Sequence, residues 1–146
     1  MKFASAKFPD WDKESIVFAG GGEPLLKQNE LIIVANALGK NGEGYNLRLN
    51  TCGLFAPGIV KQLKSVGISH VSIALNGHDA DSYHKIMNPN NELGFADVIL
   101  FMTECIEQGL FVEASCINRN DIIDLAKVRN VAENLGVTFR LRKYFP

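Results

Sequence analysis

The sequence predicts a single α/β domain over residues 1–146, built on about five mainly parallel strands with helices between them. Three observations carry this reading. Short apolar runs alternate with longer amphipathic ones, turn residues separate nearly every pair, and four of the strands run into short polar loops. The composition, with 47% hydrophobic and 21% charged residues in 146, is ordinary for one soluble domain. No linker, repeat or low-complexity tract interrupts it.

The first strand covers Ser15–Ala19 and ends in Gly20-Gly21-Gly22-Glu23-Pro24. From Leu25 to about Lys40, Leu31, Val34, Ala35 and Leu38 fall at helical spacing. A turn over Lys40–Gly44 leads into Tyr45–Leu49, which ends in Asn50-Thr51-Cys52-Gly53. A short helix from about Pro57 to Val66 follows, with proline suited to its first turn. After Gly67, His70–Leu75 is the third strand and ends in Asn76-Gly77-His78-Asp79, with Asp79 or Asp81 capping a helix that runs through Met87. Asn88–Asn91 is a loop. Gly94–Gln108 is helical by the spacing of Val98, Phe101, Met102 and Cys105. Leu110–Ile117 is the fourth strand, Asp121–Leu135 a helix capped by Asn120 or Asp121, and Val137–Tyr144 the last strand. Both an open doubly wound sheet and part of a β/α barrel satisfy this order, and in both the strand C-termini carry the ligand site.

Several function classes are disfavoured. A formal net charge of −1 provides no excess positive charge for nucleic acid or an anionic membrane surface. No apolar run approaches the ~20 residues of a bilayer span, and the N-terminus lacks a signal-peptide pattern, so a cytoplasmic location is expected. The three cysteines, Cys52, Cys105 and Cys116, contain no close pair, which argues against a disulfide framework or a metal knuckle and for reduced, buried thiols. His70, His78 and His84 lack convergent ligand spacing and are expected on the surface, so no metal ligands are assigned. Arg140 and Arg142 share one strand face, where they can pair with carboxylates or line a polar interior.

The strand-end loops are the candidate site. Glycine lets backbone approach a ligand closely, so Gly20, Gly21 and Gly22 could hold a small polar molecule by main-chain groups, with the Glu23 carboxylate beside them. The alternative is a tight strand-to-helix turn capped by Glu23. Asn50 and Asn76 suit ordinary turns as well as contacts, and Ser72 suits packing as well as binding. A third reading makes Glu23 a base and Cys52 a nucleophile, although no histidine partner is evident.

Taken together, Val17-Phe18-Ala19-Gly20-Gly21-Gly22-Glu23-Pro24-Leu25 resembles the GGEP motif of radical S-adenosylmethionine (SAM) enzymes. Leu49-Asn50-Thr51-Cys52-Gly53 resembles the third-strand ending of that family, with Cys52 in place of its second asparagine. His70–Gly77 resembles its fourth strand and Asp81–Pro89 the helix after it. Phe139–Pro146 resembles the closing strand of the branch associated with TatD nucleases. The resemblance implies a truncated radical SAM-type partial (β/α) barrel. It further implies that Gly21, Gly22 and Glu23 meet the amino group of SAM, that Asn50 and Ser72 or Ala74 lie near its carboxylate and ribose, and that Ile117, Asn118 and Arg119 lie near the adenine.

The family's CxxxCxxC loop, whose thiolates bind a [4Fe-4S] cluster, has no counterpart here. The expectation is therefore a truncated, split or degenerate radical SAM enzyme with a SAM-binding face and no cluster site of its own, and no catalytic residue is assigned. The alternative is a non-catalytic module that binds a small metabolite. Without the family's first strand, the sheet edge is expected to pair with Lys2–Phe8, with another copy or with a partner chain.

Overall fold

The computed structural model describes residues 2–6, 15–40, 45–55, 58–89 and 92–146. The turn residues 41–44, Pro57, and Asn90 and Asn91 of the expected loop lie outside them, as do Lys7 and Phe8. The chain runs β1 (Lys2–Ala6), β2 (Ser15–Ala19), a 3-10 turn (Pro24–Lys27), α1 (Gln28–Lys40), β3 (Asn46–Thr51) and α2 (Ile59–Ser65). It continues through β4 (Ile68–Ala74), α3 (Ala80–Met87), α4 (Phe95–Glu107), β5 (Phe111–Ile117), α5 (Leu125–Asn134) and β6 (Thr138–Arg142).

The strands form one sheet in the order β1-β2-β3-β4-β5-β6. Strands β2 to β6 are all parallel, whereas β1 runs antiparallel along β2, pairing Lys2 with Ala19 and Ala6 with Ser15. Among the described residues the sheet thus has the five expected parallel strands, with β1 added antiparallel at the edge of β2. The Lys2–Ala6 run is too short and too mixed in polarity to announce a strand by itself. The strand order also separates the two architectures left open by the sequence. A doubly wound sheet reverses its direction of growth at a switch point, whereas here each parallel strand is added beside the previous one. That is the winding of a β/α barrel, and it places the connecting helices on one face.

Strand alternation divides the sheet chemically. Leu47 and Leu49 of β3, Val71 and Ile73 of β4, and Val112 and Ala114 of β5 are buried in one core with Leu31, Leu63, Tyr83, Val98, Phe101 and Met102 of the helices. The intervening residues face the other way and are polar: Arg48 and Asn50, His70 and Ser72, Glu113 and Ser115, Arg140 and Arg142. The face without helices is therefore polar, in register across four strands.

Local chemistry sets the element ends. Asp79 caps α3 by accepting from the Ser82 N–H at 2.8 Å, while the Ser82 hydroxyl accepts from the Asp79 N–H at 3.1 Å. The cap of α5 is Asp124, which accepts from the Lys127 N–H at 3.2 Å, and not Asn120 or Asp121. Asp121 is instead engaged by Arg119, so the helix begins later than its sequence pattern suggests. Gly77 is required for space, because a Cβ there would lie 2.5 Å from the backbone of Tyr83 where α3 packs against the end of β4. Among the described residues no helix is long and apolar enough to cross a membrane.

Gly77→Ala should therefore force α3 away from β4. We expect a loss of about 3 kcal/mol in unfolding free energy, measured by urea denaturation. A change within 0.5 kcal/mol, on the order of a neutral surface substitution, would show that the α3 junction is not closely packed.

Candidate functional site

The C-terminal ends of β2, β3 and β4, with the polar faces of β5 and β6, enclose a cavity of about 220 Å³. Gly20, Gly22, Glu23, Asn50, Ser72 and Ala74 line it, joined by Thr51, Cys52, Ser115, Arg140 and Arg142. Gly21 lines an adjoining depression with Leu26 and Lys27.

Glu23 connects two of the loops. Its Oε1 accepts from the Leu25 N–H at 3.0 Å and from the Thr51 hydroxyl at 2.7 Å, and its Oε2 accepts from the Cys52 N–H at 2.7 Å. Thr51 in turn accepts from the Gly53 N–H at 3.1 Å. Gly53 has a φ of +73°, and a Cβ there would come 3.0 Å from Ile73, so backbone conformation and space both call for glycine. Glu23 is thus a helix cap and also a tie between the ends of β2 and β3. Gly21 and Gly22, by contrast, are exposed, and a Cβ at either would meet nothing within 4 Å. Their backbone borders open space.

The remaining candidates lie outside the cavity wall. Asn76 is buried and fastens β4 to β5: its Oδ1 accepts from the Ile117 N–H at 3.0 Å and its Nδ2 approaches the Met87 sulfur at 3.3 Å. The Asn118 N–H donates to the Arg142 carbonyl at 2.9 Å. Arg119 makes two bonds to Asp121, at 2.7 and 2.6 Å, and stacks 4.7 Å from the Tyr144 ring centroid.

Deeper on the polar face lies a charged network. Glu113, 8% exposed, accepts from the Ser72 hydroxyl at 2.9 Å and from Arg140 Nε at 2.7 Å. Sequence reading did not select it, although it is the lone charge in the apolar run Leu110–Ile117. His70 also departs from its expected surface position: it is buried, lies 4.6 Å from the Phe111 ring and contacts Arg48 at 3.0 Å through Nε2. Arginine has no acceptor, so Nε2 accepts and the ring is neutral. Burial, together with the Arg48 charge, holds the His70 pKa down at about 4. His78 is half-buried beside Asp79 at 3.2 Å, and His84 is exposed.

The cysteines do not converge. Cys52 borders the cavity, whereas Cys105 is buried in α4 and Cys116 in β5. Burial pushes their thiols up to about 11, 12 and 11 respectively, with the Glu23 charge adding to the shift at Cys52. A thiol so raised is protonated at neutral pH and is a poor nucleophile. Among the described residues no group of three His, Cys, Asp or Glu side chains could hold a metal ion.

The parallel strand ends thus carry a cavity floored by polar side chains and rimmed by exposed glycine backbone, at the end of the sheet where β/α barrels carry their sites. The chain belongs to the radical SAM superfamily, whose family model matches residues 2–123. It is 28% identical over 129 residues to the GTP 3',8-cyclase of Aquifex aeolicus, covering 85% of this chain and 38% of that protein. It is also 28% identical over 133 residues to a probable GTP 3',8-cyclase of Methanococcus aeolicus, covering 85% and 44%. Against the GTP 3',8-cyclase of Clostridium perfringens strain SM101 the identity is 28% over 132 residues, covering 86% and 38%. The chain therefore spans about two-fifths of the length of these relatives.

Two outcomes follow from the network. Glu23→Ala leaves the Thr51 hydroxyl and two N–H groups without their acceptor, and should lower unfolding free energy by about 3 kcal/mol. An unchanged urea midpoint would show that the two strand ends hold together without it. For His70, the folded-state pKa near 4 lies below the ordinary 6.5. The unfolded chain therefore binds the proton first as pH falls, and the stability contributed by the neutral ring is lost between about pH 6.5 and pH 4. The stability difference between wild type and His70→Gln should shrink across that window, as read by denaturation at a series of pH values. A constant difference would contradict a neutral, buried ring.

Proposed function

We propose that this chain supplies the SAM-binding face of a radical SAM enzyme, with the methionine end of the cofactor at the Gly20–Glu23 loop. The observation that carries the reading is the contrast within that loop: Glu23 is consumed in tying β2 to β3, while Gly21 and Gly22 border open space. Backbone carbonyls in such a cradle accept from an ammonium group, and the absence of side chains admits the ligand. Asn50 and Ser72 lie on the same cavity wall and supply polar contacts to its carboxylate and ribose. Ile117, Asn118 and Arg119 border the adenine end, with Asn76 and Asp121 fixing their positions.

Within the family, SAM bound to a reduced iron-sulfur cluster supplies a radical. Cys52 borders the cavity whereas Cys105 and Cys116 are buried in α4 and β5, so we assign the cluster thiolates to cysteines outside these 146 residues, on the same or another polypeptide. The relatives are named as GTP cyclases, and we carry over from them the cofactor-binding part alone. Reduced thiols fit a cytoplasmic setting.

Titration of the chain with SAM in a calorimeter tests the reading. Wild type should bind, and Gly22→Ala should bind about tenfold more weakly with an unchanged urea midpoint, because the new Cβ has no protein atom within 4 Å and meets the ligand instead. Equal affinity in the variant, or no binding to wild type, would defeat it. Stoichiometric cluster uptake on anaerobic reconstitution, abolished by Cys52→Ser, would overturn the assignment of the thiolates.

A further inference from the structure

Two cationic side chains line the cavity away from the loop assigned to the methionine end of SAM. Arg140 and Arg142 occupy alternate positions of β6 and both line the cavity. Arg140 is held through Nε by Glu113 at 2.7 Å, an edge-on contact that leaves its terminal Nη groups for another partner, and its side chain is 48% exposed. Arg142 is exposed and has no ion-pair partner among the described residues. Two guanidinium groups of β6 thus line the cavity beside Glu23, whose carboxylate is already engaged by three donors.

We propose that Arg140 and Arg142 form a clamp for a phosphate or carboxylate group on the molecule that reacts, and that Glu113 is the positioning residue that aims Arg140. This rests on the SAM reading only in giving the Gly20–Glu23 loop to the cofactor and β6 to the substrate. The chemistry fits the geometry. Planar guanidinium forks bind such oxyanions by paired charge-assisted hydrogen bonds, and a fork already fixed at Nε loses less freedom on binding. Ser115, on the neighbouring strand and paired in register with Arg140, lines the same wall.

Calorimetric titration of the full chain with pyrophosphate, and separately with citrate, tests the clamp in the presence and absence of SAM. Arg142→Gln should weaken the preferred anion about tenfold or more, as expected for loss of a charged hydrogen-bond donor. The SAM affinity and urea midpoint should stay unchanged. Tighter binding of pyrophosphate than of citrate assigns a phosphate, and the reverse a carboxylate. Glu113→Gln should weaken the anion in wild type but have no further effect in an Arg140→Gln background, because Glu113 acts through Arg140. A merely structural role would weaken both backgrounds alike. The proposal is overturned if Arg140→Gln and Arg142→Gln leave anion affinity unchanged, or if SAM affinity falls in step with it, since the arginines would then serve the cofactor. Failure of SAM to bind wild type would defeat the cofactor reading alone, because the anion titration without SAM still reads the clamp.

Discussion

The Glu23 carboxylate is the contact on which the cavity depends. Parallel neighbours in a barrel are bonded along their length, but beyond the last ladder bond their ends diverge into separate loops. Glu23 spans that gap by accepting from Leu25 on its own loop and from Thr51 and Cys52 on the next. The arrangement fixes the rim where a ligand must enter, and it does so with a side chain that could otherwise have occupied the opening. The glycines before it remain bare because they have no such structural duty. One carboxylate thereby separates the loop into a part that holds the fold and a part that faces solvent.

A second tie of the same kind lies two strands further on. Asn76 reaches across to the Ile117 N–H and joins the end of β4 to that of β5. Both ties use a polar side chain from the loop after a strand, and both accept from a backbone N–H at the end of the neighbouring strand. The strand-end residues that look like ligand contacts in the sequence thus divide into two groups. Gly20, Gly21, Gly22, Asn50 and Ser72 border open space, whereas Glu23 and Asn76 position them.

That division also explains what was legible in the sequence. The strand-end loops are local patterns, and their order along the chain was enough to indicate the fold and most of the cavity rim. What was not legible depends on partners far away in sequence. Glu113 gains its meaning from Ser72 and Arg140, which are brought together only by the register of β4, β5 and β6. His70 looks like a polar strand start until Arg48 and Phe111 enclose it. The cap of α5 moved to Asp124 because Asp121 found Arg119, a competition that no helical pattern encodes. Strand β1 was legible only through the edge it covers: the expected pairing of that edge with Lys2–Phe8 is met by Lys2–Ala6, although its own residues carry no strand pattern.

The polar face itself bears on function. A core of matched apolar side chains would be at least as stable as one containing Arg48, His70, Glu113 and Arg140, because withdrawing charges from water is costly even when they are paired. On the helix side of the same sheet the chain packs such a core from Leu47 and Leu49, Val71 and Ile73, and Val112 and Ala114. The polarity of the other face is therefore a property of that face and not of the strands. Its Ser72, Ser115, Arg140 and Arg142 stand on the wall of the cavity where the glycine loop opens. Residues that forgo stability in register across four strands, and converge on one opening, are better accounted for by what enters the opening than by the fold that surrounds it.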